Sequence, residues 1–291
     1  MATEATVLGY RLLSADVAEV ARIVAALAGR DARPTGSGPA RSEPRPPEGE
    51  TRAGTSAEAT APSRRREATR LPGVHPPVHV VTLNPEIVVR AERDSALKRA
   101  ILSAEVVVAD GIGVVWAAIE VAGASVTKVP GIDLAEALVE DAANRGKRVY
   151  LLGSTESVVS RVEMNLKARF PRLSVVGARN GFFPLDDPAV VDAVASASPD
   201  LVVVGMGCPR QELWIAANKG RFPGAILIGV GGSLDVWAGR SRRAPVWARR
   251  IGLEWLWRAI AAPARFPRLW YLIRFVWLVF RAKLTPKGEV S

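Results

Sequence analysis

The chain has 291 residues, of which 48% are hydrophobic, enough to bury one sizeable core or two small ones, and its formal net charge is +10. A single cysteine excludes a disulfide scaffold and a structural zinc site built on cysteine pairs. The N-terminal MATEATVLGY has no basic region followed by an apolar stretch, so no export signal is expected and the reducing cytosol is the default compartment.

Residues 6–13 read as a strand or hairpin arm. Asp16 is placed to cap a helix to about Leu27, with Val17, Val20, Ile23 and Val24 as an apolar stripe. Residues 31–77 are Pro, Gly, Ser, Thr, Ala, Glu and Arg with almost no large apolar side chain, the composition of a disordered insertion. Four regions are therefore expected: an N-terminal element (1–30) packing on the core, the insertion (31–77), an α/β core (78–239) and a C-terminal appendage (240–291).

Within the core, strands are expected at Val78–Leu83, Val106–Ala109, 148–152, 173–177, Leu201–Gly205 and 225–230. Helices are expected at 86–93, Ser95–Leu102, 112–123, 132–145, 156–169, 188–197 and 209–219. Strands that are nearly continuous Val, Ile and Leu, alternating with helices, imply a mostly parallel sheet covered on both faces. In such sheets ligands bind beyond the carboxyl ends of the strands. Polar and glycine residues collect at those ends: Thr82, Asn84, Asp110, Gly153, Gly207, Gln211, Gly229, Gly231 and Asp235. Each alone suits a turn; their recurrence points to a site.

LLGST (151–155), VVVGMGCPRQE (202–212) and GVGGSLD (229–235) are glycine turns, the first two running from strand into helix, and allow close approach to a phosphate or nucleotide. None matches the dinucleotide fingerprint or the P-loop. Asp110 follows a buried strand and suits a general base, a sugar-hydroxyl ligand or a cap of the next helix. Thr82 and Asn84 point to one side of an extended segment. Gln211 and Glu212 open a helix, where they suit contact with a base, ribose or sugar, or else a solvated first turn. His75 and His79 have no acid partners and no metal-ligand spacing is present, so neither a metal nor a cofactor is expected. Cys208 has no paired histidine to make it a nucleophile.

From Arg240 onward there are 12 Lys/Arg against 2 Asp/Glu, and six of the eight tryptophans lie at or beyond Trp237. Residues 269–280 are apolar except for Arg274, too short for the roughly 20 residues of a membrane span. At 100° per residue Trp270, Arg274, Trp277 and Arg281 share one side, with Leu272, Val276 and Val279 opposite. That pattern suits a helix lying on an anionic lipid surface with arginines reaching the phosphates, or a helix packed on the protein's own core. A nucleic-acid partner is not expected, because the aliphatic stretch has no use against a phosphate backbone.

TLNPEIVVRA (82–91), ADGIGVVWA (109–117), GIDL (131–134), LLGS (151–154) and GMGCPRQELWI (205–215) stand in this order. IGVGGSLDVWAGRSRRAPVW (228–247) and GLEWLWRAIAAPARFPR (252–268) follow them. This series closely resembles the bacterial WecG/TagA/CpsF glycosyltransferases, over about 78–270 and more weakly over 5–27. The resemblance implies a Rossmann-like α/β core, mostly parallel sheet flanked by helices, with a basic, apolar helical appendage at the cytoplasmic face of the inner membrane. It implies inverting transfer from a UDP-sugar donor to a polyprenyl-diphosphate-linked sugar acceptor, in exopolysaccharide, O-antigen or teichoic-acid-type synthesis, with no bound metal. Family donors include UDP-N-acetylmannosaminuronate, UDP-N-acetylmannosamine and UDP-glucose, and relatives can self-associate, so a homo-oligomer is open.

By resemblance Asp110 is the catalytic base, Thr82 and Asn84 meet the sugar and reaction centre, and Gln211 is an active-site glutamine. Arg258, Arg265 and Arg268 match appendage arginines that hold a diphosphate, where fixed guanidinium groups would stabilise the charge on departing UDP. Gly153, Gly207, Gly231 and Asp235 are the remaining expected substrate-binding residues. Lys128 stands where many relatives have an arginine, which keeps the charge but loses the bidentate fork. Arg210 replaces the usual lysine of the motif. A non-catalytic nucleotide-sugar-binding or assembly protein is the alternative, which the intact Thr82, Asn84, Asp110 and Gln211 set disfavours.

Overall fold

The computed structural model describes residues 2–29, 75–245, Ala248, Trp257 and 269–285. The expected insertion falls almost wholly outside these residues, as do Arg258, Arg265 and Arg268.

The chain begins with an antiparallel hairpin, β1 (Thr3–Val7) and β2 (Tyr10–Ser14), then α1 (Val17–Leu27), capped by the Asp16 carboxylate on Glu19 N–H at 2.8 Å. β3 (Val78–Leu83), α2 (Pro85–Ala91), α3 (Ser95–Leu102), β4 (Val106–Ala109) and α4 (Ile112–Ala117) follow. Next come α5 (Gly131–Asn144), β5 (Arg148–Gly153), α6 (Glu156–Arg169), β6 (Ser174–Arg179) and α7 (Pro188–Ser196). β7 (Leu201–Gly205), α8 (Arg210–Asn218), β8 (Ile226–Gly229), α9 (Ser233–Trp237) and, after a gap in the described residues, α10 (Leu269–Leu284) complete the order.

The eight strands form one sheet in the order β1-β2-β4-β3-β8-β7-β5-β6, parallel except for the hairpin. Each central strand is Val-, Leu- or Ile-rich because it is buried on both faces. On β3, Val78 and Val80 join a cluster with α1 and α5, while Val81 and Leu83 join one beneath α2, α4 and α10. A third cluster lies under α7 and α8. β5 and β7 are neighbours, yet the chain leaves β5 toward β6 and leaves β7 toward β8 on the other side. That reversal opens a crevice at their carboxyl ends.

Three expectations shift. Residues 112–123 are not one α-helix: α4 gives way to a π-helical turn at Ala118–Ala122, closed by left-handed Gly123. β6 starts one residue later than expected and runs two further, with Gly177 against the Tyr150 ring, where a Cβ would come within 2.3 Å. The helix stripe of the tail is also rotated. Phe275, Leu278 and Val279 are buried in the core, so the set that periodicity grouped opposite Trp270 is split, Val279 buried, Leu272 half-buried and Val276 exposed. Periodicity did not rank two apolar faces; the packing chose the one carrying Phe275.

Candidate active site

Five neighbouring strand ends are joined by hydrogen bonds into one belt. From β4 to β3, Asp110 N–H donates to Leu83 O (2.8 Å). From β3 to β8, the Thr82 hydroxyl donates to Gly229 O (3.3 Å). β8 and β7 are bridged by Gln211, whose Oε1 accepts from Gly207 N–H (3.2 Å) and Gly231 N–H (2.9 Å). From β5 to β7, Ser154 N–H donates to Gly205 O (3.0 Å). At about 4.8 Å per strand, the belt runs roughly 19 Å from β4 to β5.

Glycines sit where the belt is tightest. A Cβ on Gly153 would come within 2.4 Å of Gly205 O, and one on Gly131 within 2.9 Å of Thr82 Oγ1. The GIDL glycine thus lets the start of α5 press on Thr82, and the LLGS glycine lets β5 turn against β7.

At the β4 end, Leu83 pairs with Ala109, so the next residues, Asn84 and Asp110, stand side by side. Ala109 also bridges Lys128, which brings this lysine beside the same strand end. The N-cap residue of α4 is Gly111 at φ +102°, the residue after Asp110. Asn84 caps α2 through its Oδ1 on Ile87 N–H (3.0 Å), and among the described residues its amide nitrogen has no partner. Thr82 and Gln211 are buried and engaged with backbone, so their first duty is to hold the belt.

At the β5 end, the Ser154 hydroxyl donates to Asp235 Oδ1 (3.3 Å), joining the LLGS turn to α9. Gly181 N–H donates to Ser154 O (2.9 Å), which brings loop 180–184 against this turn. Arg210 donates to Gly181 O (3.2 Å) and Phe183 O (2.6 Å) and fixes that loop from below. The loop holds Phe182 77% exposed at the rim of the crevice. Sequence reading missed Phe182, because the loop carries no periodicity; an aromatic pair between Gly181 and Pro184 was the available hint.

Burial pushes the Glu212 carboxyl up from its ordinary value, and Gln211 partly opposes this by donating to it (2.7 Å). Burial, with Glu212 beside it, also pushes the Cys208 thiol far up, so no thiolate nucleophile is available there. A cavity of about 600 Å³ opens elsewhere, lined by Glu4, Thr6, Leu8, Val121 and Ala124 at the amino-end edge of the sheet, and contains none of the site residues.

A doubly covered parallel sheet with a polar crevice across its carboxyl ends is the architecture of α/β proteins that bind ligands at a topological switch point. Residues 56–289 match the model of the Glycosyl transferase WecG/TagA/CpsF family, to which the chain belongs; it is a glycosyltransferase. It is also 37% identical over 204 residues to the N-acetylglucosaminyldiphosphoundecaprenol N-acetyl-beta-D-mannosaminyltransferase of Staphylococcus aureus strains NCTC 8325 / PS 47 and COL. The protein of that name in strain MRSA252 is 36% identical over the same length. These alignments cover 70% of this chain and 80% of the relatives.

Proposed function

We propose that this glycosyltransferase moves a hexose or N-acetylhexosamine from a UDP-sugar to a polyprenyl-diphosphate-linked sugar, inverting the anomeric carbon and using no metal. The observation that carries this reading is the strand-end belt with Asp110 and Asn84 adjacent at one extremity and the β5/β7 crevice at the other. The nucleoside lies at the crevice, with Asp235 and Ser154 as hydroxyl or base partners and Phe182 as an apolar platform. The diphosphate crosses the turns at Gly207 and Gly231. The transferring sugar then reaches Asp110, Asn84 and Lys128.

Asp110 accepts the proton of the acceptor hydroxyl as that oxygen attacks the anomeric carbon from the face opposite UDP. The bond from that carbon to the diphosphate oxygen breaks, and UDP leaves with the electron pair. Lys128 supplies positive charge near this end, and Arg258, Arg265 and Arg268 are proposed to complete the diphosphate site.

The protein is proposed to work on the cytoplasmic membrane face through α10. No helix among the described residues is long and apolar enough to cross a membrane. α10 nevertheless exposes Trp270, Ile273, Trp277, Phe280 and Leu284 at alternating spacings of three and four, each more than half exposed. Arg274 and Arg281 flank Trp277 at 5.8 and 5.5 Å from its ring. Aromatic side chains with arginines suit an anionic lipid interface. The buried side of α10 packs on α2, whose cap is Asn84, so the membrane-facing helix and the reaction centre share one support.

The test is a donor screen against short-chain polyprenyl-diphosphate acceptors with product stereochemistry read out. The relatives' activity makes UDP-N-acetylmannosamine with an N-acetylglucosaminyl acceptor the first pair to try. Inverted product and released UDP are expected; retained configuration would reject the mechanism.

A further inference from the structure

Among the described residues Glu212 is the one buried carboxylate, 2% exposed, on the first turn of α8 behind the pocket floor. Its Oε1 accepts from Gln211 Nε2 at 2.7 Å, its Oε2 makes no hydrogen bond, and the Cys208 thiol and Arg90 lie near the carboxyl group. Burial makes a carboxylate costly, and the Gln211 hydrogen bond offsets that cost only in part.

Its presence is explained by the orientation of one amide. Gln211 Oε1 receives two backbone N–H groups, Gly207 at 3.2 Å and Gly231 at 2.9 Å. A flipped amide would set its NH₂ against both donors. Glu212 accepts on the opposite side of the amide and excludes the flip from there. The amide also lies against Gly229, where a Cβ would come within 2.7 Å of Nε2. Four residues therefore specify one side-chain orientation, and that orientation ties the turn after β7 to the turn after β8.

We propose that Glu212 is a positioning residue for glycosyl transfer: through the Gln211 amide it holds the 205–208 and 229–232 turns together and shapes the floor under the donor diphosphate. This rests on the donor site proposed above. Glu212 touches no substrate and exchanges no proton in the reaction. It acts as an acceptor in either protonation state, because a neutral carboxyl keeps an acceptor oxygen.

The experiment uses the full-length protein, with UDP titration, Tm and steady-state transfer from UDP-N-acetylmannosamine to a polyprenyl-diphosphate N-acetylglucosamine. Glu212→Leu strands the buried Gln211 amide donor, so a modest fall in Tm is expected, together with a fall in kcat/KM of about tenfold or more, donor KM raised and acceptor KM unchanged. Glu212→Gln, whose carbonyl still accepts from Gln211, stays within about threefold of wild type. Gln211→Glu faces two carboxylates and loses about a hundredfold; adding Glu212→Gln restores a donor to the pair and recovers at least about tenfold. Wild-type kcat/KM in Glu212→Leu, or a double variant no better than Gln211→Glu, overturns the proposal. If Glu212→Leu fails to fold, the swapped pair decides alone. If the wild-type protein binds UDP but transfers nothing, the acceptor reading fails separately, and the same rescue is then required in UDP affinity.

Discussion

The strand-end belt and the helix α10 are held by opposite means. The belt is polar and fixed: Thr82, Gln211 and Ser154 each bond a neighbouring strand end, and glycines admit the contacts. α10 is apolar on two sides, with Phe275, Leu278 and Val279 in the core and Trp270, Trp277 and Phe280 outside. A surface helix of a soluble protein normally shows one apolar face. If the belt sets geometry and α10 sets location, as proposed, substitutions should separate the two.

The sharpest separation is at Asp110. Asp110→Asn should lower kcat by about 10²–10⁴, the usual contribution of a general base, with UDP affinity and Tm close to wild type. On α10 the two faces should behave differently. Phe275→Ala should cost about 3–5 kcal/mol in denaturant unfolding, because it empties a core site between Gly113 and the α2 layer. Trp277→Ser should leave stability within about 1 kcal/mol and instead weaken binding to anionic vesicles by about tenfold. Equal losses of stability from both would remove the distinction between the faces.

Acid should act on the body of the protein through His79. Its buried imidazole has no hydrogen-bond partner on either ring nitrogen, and burial, helped by Lys219, lowers its pKa to about 3. The unfolded state takes up the proton near 6.5, so stability present above that pH is lost as pH falls from about 6.5 toward 3. Each unit inside that window costs roughly 1.4 kcal/mol from this group. His79→Leu should flatten that limb of the stability curve; an unchanged slope would assign acid sensitivity elsewhere. The smallest effect is expected at the exposed Lys283–Glu120 pair, 2.6 Å apart, where Lys283→Met should leave Tm close to wild type.

The strands were legible because β4 and β7 are short, nearly continuous Val/Leu runs and β3 is broken only by His79 and Thr82, the pattern of a parallel sheet buried on both faces. Asp110, Asn84 and the glycine turns were legible as strand-end residues for the same reason. The duty of Gln211 was not, since it depends on Gly207 and Gly231 meeting across β7 and β8, a register no local pattern encodes. The inner face of α10 was hidden for a related reason. With Leu, Val, Phe and Trp on several sides, helical spacing alone leaves its rotation undetermined, and packing against α2 and the π-helical turn selects Phe275.

The central claim is that Asp110, at the end of β4, deprotonates the acceptor while the rest of the belt holds the donor. It is tested most directly by single-turnover transfer with wild type and Asp110→Asn at saturating UDP-sugar. The account predicts undiminished donor binding and a chemical step slowed by about 10² or more in the variant. An Asp110→Asn protein that transfers sugar at the wild-type rate would contradict it.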